Sequence, residues 1–304
     1  MKKIIISLLF LSILAGSFAF ADETLPISAP KIERSLHTTF SKSIWSRFVA
    51  AIKQYKLLAP GDRVCVCISG GKDSMLLAKC MQLLHRVSDF PFELKFLVMD
   101  PGYRAENRKL IEDNLALMGI EAQIVENRLF EAAYSASKKN PCYMCSRMRR
   151  GNLYAYARDL GCNKIALGHH FNDMIETVLI SILYGSQVRT MLPKLHSDNF
   201  EGMEIIRPLY MVREADIIRW KDENGLQFLQ CACRMTEQSG LDSLDSKRAE
   251  VKRLIAELCE KNSQVDINIF RSMHNIKLGA IVEYTTPDGV QHSFLDDYDD
   301  ISGE

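Results

Sequence analysis

The chain has no net charge: 38 Lys and Arg balance 38 Asp and Glu over 304 residues. That argues against a uniformly basic nucleic-acid coat, though not against a local basic face. Compositional bias is missing too. With 47% hydrophobic, 25% charged and 9% aromatic residues, the chain is neither wholly disordered nor collagen-like nor a polytopic membrane protein. There is no internal repeat. Nor is there the paired-cysteine framework of a small secreted domain, because the nine cysteines are odd in number and scattered. A length of 304 allows one large α/β domain or two small ones, with core enough to fold without disulfides.

The neutral total conceals two unlike parts. Thr285 to Glu304 holds Asp288, Asp296, Asp297, Asp299, Asp300 and Glu304 with no Lys or Arg, so it contributes −6 and leaves the rest at +6. The tail reads as a solvated end or a polyanion mimic, and the basic body suits an RNA partner. At the other end Lys2 and Lys3 precede the apolar run Ile4 to Ala15, and Ala19-Phe20-Ala21 has the form of a signal-peptidase site. Alone this predicts export, or an anchor near the lower length limit. The opposing reading is an artefactual leader to be left out of fold reasoning.

Most cysteines have a plain explanation. Cys65 and Cys67 alternate in a β-rich run, and Cys80 and Cys259 lie in helical patterns, so they read as small buried hydrophobes. Cys142 and Cys145 differ, because a C-x-x-C pair after Pro141 puts two thiolates where one metal can take both. Either iron–sulfur or zinc needs reduced thiolates, which favours a cytoplasmic setting over export.

Periodicity predicts an amphipathic helix over Lys31 to Leu58, stopped by Ala59-Pro60-Gly61-Asp62. Strands then alternate with helices. Strands are expected at Arg63–Ile68, Glu93–Met99, Ile120–Val125 and Lys164–Leu167, with a fifth near Ile205, Ile206 and Leu209. Helices are expected at Met75–His85, Arg108–Met118, Asn152–Leu160, Asp173–Leu183, Ala215–Glu223 and Ser246–Glu260, and Leu278–Tyr284 is strand-like. This order predicts an α/β doubly wound parallel sheet with an N-terminal helix and a C-terminal helical extension. The domain reading is a leader at 1–30, a catalytic domain at 31–240, the helical extension at 241–284 and the acidic tail at 285–304.

The first strand ends in Ser69-Gly-Gly-Lys-Asp-Ser74 and a helix follows at once. Two glycines let backbone N–H groups approach an anion, the helix N-terminus adds its dipole, and Lys72 adds charge. Asp73 in an anion site implies a metal, Mg²⁺. After the fourth strand, Leu167-Gly-His-His-Phe-Asn-Asp-Met-Ile-Glu-Thr177 reaches the same sheet edge. There His169 or His170, Asp173 and Glu176 or Thr177 recur at helical spacing, able to bind Mg²⁺ or position a reacting group.

The glycine run is not the Walker pattern. It resembles the PP-loop of the ATP pyrophosphatases, which cleave ATP between its α- and β-phosphates to adenylate a substrate. The resemblance implies the Rossmann-like fold of that superfamily and an ATP site built from Ser69, Gly70, Gly71, Lys72, Asp73, Ser74, Gly168 and His169. It makes Lys72, Asp73 and Asp173 the catalytic candidates. From Lys31 to Cys233 the chain resembles the tRNA 2-thiocytidine synthetase (TtcA-like) branch, on Val98-Met-Asp100, Gly168-His-His170, Arg207-Pro-Leu209 and Val212-Arg-Glu214. That branch implies a [4Fe-4S] cluster held by Cys142, Cys145 and Cys231. Two departures are Cys231-Ala-Cys233, which makes Cys233 an alternative third ligand, and Asn172 where an Asp is common. A fourth ligand from Cys233 would instead suit closed zinc.

The implied reaction is ATP-dependent thiolation of a tRNA loop cytidine, with a cysteine desulfurase as sulfur donor, a homodimer and no stable membrane association. Arg147, Arg149, Arg150, Arg189 and Lys194 are candidates for RNA contacts. Competing readings are a thiolase of another tRNA base such as uridine, a PP-loop ligase of a small molecule with structural zinc, and an exported binding protein.

Overall fold

The computed structural model describes residues 27–127, 141–229, 243–296 and 298, with the backbone alone at 141–147, 149 and 243–246. Residues 1–26, Cys231, Cys233 and most of the acidic run lie outside the described residues. Among the described residues no helix is long and apolar enough to cross a membrane.

The segment expected as one helix over Lys31 to Leu58 is three pieces: α1 (Ala29–His37), a π-helical turn at Ser41–Trp45, and α2 (Ser46–Gln54). Its apolar residues explain the break. Ile32, Leu36, Phe40, Ile44 and Phe48 recur every four positions, and each is 0% exposed. On a straight 3.6-residue helix, steps of four drift by about 40° each, so the stripe would rotate off the core. The break at Thr38, whose hydroxyl donates back to the Arg34 carbonyl at 2.8 Å, and the wider π turn restore its phase.

The α/β alternation follows: β1 (Arg63–Ile68), α3 (Lys72–Val87), β2 (Glu93–Asp100), α4 (Ala105–Met118), β3 (Gln123–Glu126), α5 (Pro141–Asp159), β4 (Lys164–Ala166) and α6 (Phe171–Gly185). Then come β5 (Lys194–His196), β6 (Glu204–Ile206), α7 (Glu214–Glu223), α8 (Ser243–Lys261) and α9 (Val265–Ser272). The sheet order is β3-β2-β1-β4-β6-β5, parallel throughout except where β5 pairs antiparallel with β6. Sequence periodicity missed β5, whose three residues are too few to alternate, and it stretched the fifth strand to Leu209, which lies past the end of β6. The strand-like Leu278–Tyr284 begins as a 3₁₀ turn at Leu278–Ala280; only Glu283–Thr285 (β7) pairs, with Gln291–Ser293 (β8).

β1 shows why its sequence is apolar without alternation. Val64, Val66 and Ile68 pack in the layer that holds α1 to α4 and α7, while Cys65 and Cys67 face Leu97, Ile165 and Ile205 beneath Tyr154 and Ala157 of α5. Each fully buried aliphatic side chain here stabilises the fold by roughly 1.5–3 kcal/mol. Cys65, Cys67, Cys80 and Cys162 are buried free thiols, and burial pushes the Cys80 thiol above its ordinary range. A further cluster joins Phe171, Met174 and Val178 of α6 to Val251 and Ile255 of α8 and Phe270 of α9.

From β1 the chain moves to β2 and β3 on one side; from β4 it moves to β6 on the other. The strand order therefore reverses between β1 and β4, and the crevice beyond their carboxyl ends is where an open α/β sheet takes its ligand. Ser69-Gly-Gly-Lys leaves β1 there, and Leu167-Gly-His-His leaves β4.

Candidate active site

The turn after β1 is built on one glycine with no alternative. Gly70 has φ +82°, and a Cβ there would lie 2.7 Å from Ile111 Cγ1 and 2.9 Å from Leu229 Cδ1. Ser74 fixes the loop internally: its hydroxyl accepts from Ser69 N at 3.0 Å and donates to the Gly71 carbonyl at 3.0 Å. Gly71 caps α3, so the helix begins at Lys72, three residues before the sequence reading started it. Its first-turn N–H groups have no partner within the helix and face the crevice as anion donors.

The turn after β4 meets this loop backbone to backbone. A Cβ on Gly168 would sit 3.0 Å from Asp73 C and Ser74 N, so a larger residue there would push the two turns apart by a few tenths of an ångström. His170 then caps α6 reciprocally, accepting from Asp173 N at 3.4 Å through Nδ1 while Asp173 Oδ2 accepts from His170 N at 2.9 Å. His170 Nε2 stands 3.7 Å from Asp73 Oδ1.

Two ion-pair chains cross the crevice. Lys72 Nζ lies 3.1 Å from Asp73 and 3.2 Å from Glu214, and Glu214 in turn lies 2.6 Å from Lys252 on α8. Burial opposes the charge on Lys72, but the two carboxylates outweigh it and hold its pKa above the ordinary value. In the second chain Arg248 of α8 bridges Asp173 at 3.0 Å and Glu176 at 3.1 Å. Burial nevertheless lifts Glu176 to about 7, with Arg248 opposing.

A cavity of about 380 Å³ opens between the two turns and α5. Its walls include Ser69, Asp73 and Ser74 on one side and His169, Arg150 and Arg207 on the other. Three buried polar atoms here have no hydrogen-bond partner: Asp73 Oδ1, His169 Nδ1 and Arg207 Nε. Burial foremost, then the charge of Arg207, lowers the His169 pKa to about 4 and leaves its imidazole neutral.

A family model described as a PP-loop domain matches residues 41–238. The chain belongs to the PP-loop family. Similar proteins include a tRNA-cytidine(32) 2-sulfurtransferase of Coxiella burnetii, 36% identical over 245 residues, covering 77% of this chain and 90% of the relative. Another tRNA-cytidine(32) 2-sulfurtransferase, from Syntrophotalea carbinolica, is 33% identical over 242 residues and covers 78% and 90%. Among solved structures, the U34-tRNA thiolase NcsA from Methanococcus maripaludis with its [4Fe-4S] cluster matches with TM-score 0.58 at 21% identity, covering 76% of this chain and 79% of that one. At that identity the match speaks for the fold alone.

In this PP-loop protein the residues expected at the site do not all stand alike. Ser69, Asp73, Ser74, Gly168, His169 and Asp173 line the cavity. Asp173 is already engaged, one oxygen in the cap and the other on Arg248. Asn172, where an Asp was expected, accepts from Glu214 N at 2.9 Å and so fixes the carboxylate that faces Lys72. Cys142 and Cys145 occupy the first turn of α5, three apart and hence on one helical face. That helix begins at Pro141, well before the Asn152 expected from periodicity. Cys231 and Cys233 lie outside the described residues, but the Leu229 N–H donates to the Gly70 carbonyl at 3.1 Å, bringing the chain onto the loop just before them.

Of the RNA candidates, Arg150 and Arg189 are both exposed, and Arg150 also lines the cavity. Lys194 on β5 is half-buried, 3.3 Å from the Lys56 carbonyl and 3.5 Å from Glu204. The side chains of Arg147 and Arg149 lie outside the described residues. Sequence reasoning missed Arg248 and Lys252 as site residues. Their i,i+4 spacing was the available signal, a basic face on a helix otherwise read as an extension.

Proposed function

We propose that the chain is an ATP-dependent tRNA sulfurtransferase, forming AMP and pyrophosphate, that adenylates the C2 oxygen of a loop cytidine and replaces that oxygen with sulfur. The observation that carries the reading is the convergence at one cavity of the PP-loop, the turn after β4 and α5, the helix whose first turn holds Cys142 and Cys145; Leu229 is bonded to Gly70 of the same loop. Relatives 33% and 36% identical over three quarters of the chain, both named tRNA-cytidine(32) 2-sulfurtransferase, support the substrate.

In this reading the first-turn N–H groups of α3 and Lys72 take the β- and γ-phosphates. Lys72 exchanges Glu214 for phosphate, and Lys252 stays on Glu214 to balance it. The substrate oxygen attacks the α-phosphorus, the bond to the bridging oxygen breaks, and pyrophosphate leaves with that electron pair. Carbon C2 then carries AMP as its leaving group in place of a poor one; sulfur at the sulfide level bonds to C2, and AMP leaves with the electron pair of the C2–O bond.

Cys142, Cys145 and Cys231 fit a [4Fe-4S] cluster, with Cys233 as the alternative third thiolate, and the donor set is all sulfur. When bound, such a cluster would supply the sulfur-handling chemistry. Mg²⁺ belongs to the same reading. Asp73 Oδ1 is its open donor, and among the described residues no group of three His, Cys, Asp or Glu converges to hold a metal, so the ion would share its shell with the triphosphate. His169, kept neutral, offers an uncharged hydrogen-bonding group to the base. A cavity of about 380 Å³ admits a base and not a folded RNA, so the cytidine enters flipped out. A cysteine desulfurase as sulfur source, its persulfide sulfur reduced to the sulfide level by a thiol reductant, a homodimer and a reducing, cytoplasmic setting complete the proposal.

Anaerobic reconstitution tests it. With iron, sulfide, ATP and tRNA the expected result is brown protein, AMP release that requires tRNA, and 2-thiocytidine in the RNA. A colourless zinc protein, or AMP release with no thiolated base, would sink the reading.

A further inference from the structure

Arg207 is a buried cation without an anion. It leaves β6 at the cavity wall, is 8% exposed, and among the described residues has no carboxylate within ion-pair distance. One Nη donates to the Leu192 carbonyl, which clamps the guanidinium, while Nε is buried without a hydrogen-bond partner, and the residue lines the cavity. A second guanidinium, Arg150 of α5, shares the cavity wall. Burial, then the Arg150 charge, lowers the Arg207 pKa to about 10, so the neighbouring cation adds to the cost of burying this one. The acids on the same walls relieve this only in part: Asp173 favours the charged guanidinium but is shared with Arg248 at 3.0 Å, and Asp73 is held by Lys72 at 3.1 Å. A buried, fixed guanidinium with an open donor needs a planar or tetrahedral oxyanion.

We propose that Arg207, with Arg150 beside it, binds the α-phosphoryl group of the nucleotide and keeps AMP in place after pyrophosphate has left the PP-loop. The inference rests on the ATP reading above and extends it by dividing the nucleotide between two anion sites, Lys72 for pyrophosphate and Arg207 for the monophosphate. An RNA backbone phosphate is the less suitable occupant. Arg207 is 8% exposed and lines the cavity that Ser69, Asp73 and Ser74 also line, whereas a phosphodiester of folded tRNA stays at the surface, where Arg189 is exposed.

Calorimetric titration of the full chain with AMP, with inorganic pyrophosphate and with a short single-stranded RNA decides the matter. Arg207→Gln should weaken AMP binding about tenfold to a hundredfold, the range for a charged hydrogen bond, and leave pyrophosphate within about twofold. Lys72→Met should do the reverse. Arg207→Lys, which keeps the charge and loses the Nε donor, should fall between, and it carries the same contrast if the glutamine variant does not fold. Unchanged AMP affinity in both Arg207 variants overturns the proposal, as does an equal loss for pyrophosphate or a loss for RNA alone. If pyrophosphate binding by the wild-type chain does not depend on Lys72, the ATP reading itself fails and this inference with it. Lys72-dependent pyrophosphate binding with Arg207-independent AMP binding defeats the inference alone.

Discussion

Gly70 is the residue on which most depends. Its φ of +82° and the 2.7 Å approach that a Cβ would make to Ile111 both oppose substitution. Gly70→Ala should destabilise the fold by about 2–4 kcal/mol, combining backbone strain with overpacking, and urea unfolding measures it. Lys72→Met should behave oppositely, lowering the rate of AMP formation about 10²–10³-fold with an unchanged melting temperature, because Lys252 still neutralises Glu214. Glu176 gives a pH signature. Its folded-state pKa, about 7, lies above the ordinary 4.5. Between those values the folded state binds more protons than the unfolded one, so this group's contribution to stability falls as pH rises and levels off above about 7. Glu176→Gln should therefore gain on wild type across that window in melting temperature, and parallel curves would contradict the assignment. The Gly-Gly-Lys-Asp-Ser loop was legible in the sequence because its chemistry is local. Glu214, 142 positions from Lys72, and Arg248, 75 from Asp173, were not. Only the fold brings them in.

At the scale of elements, strands and helices buried on a regular period were readable, and the exceptions have physical causes. The stripe Ile32, Leu36, Phe40, Ile44 and Phe48 looked like one helix because spacing by four nearly fits, and the residual drift is what breaks it. β5 was invisible because three residues of an edge strand carry no pattern. α8 lies beyond the matched PP-loop segment, which ends at residue 238, yet Val251 and Ile255 complete a core with Phe171, Met174 and Val178. A chain ended after residue 242 should therefore be insoluble, exposing that face of α6, while one ended after residue 275 should stay soluble and retain α8 and α9. Recovering soluble, cooperatively melting protein from the shorter chain would show α8 to be dispensable. Through Arg248 and Lys252 the same helix joins the fold's stability to the charge balance of the site.

For the whole molecule, zero net charge is a sum over a basic body and an acidic tail, and it carries no information about the RNA partner. What organises the protein is the reversal of strand order between β1 and β4. It brings two glycine turns, two ion-pair chains and three unpartnered polar atoms to one cavity. The account stands on the claim that this cavity thiolates cytidine in tRNA. Nucleoside mass spectrometry of tRNA, from a host that makes no 2-thiocytidine of its own and expresses this chain, tests it most directly. The account predicts that 2-thiocytidine appears with the wild-type chain and is absent with Cys142→Ser or Lys72→Met. No 2-thiocytidine from folded wild-type protein, or undiminished 2-thiocytidine from either variant, would contradict it.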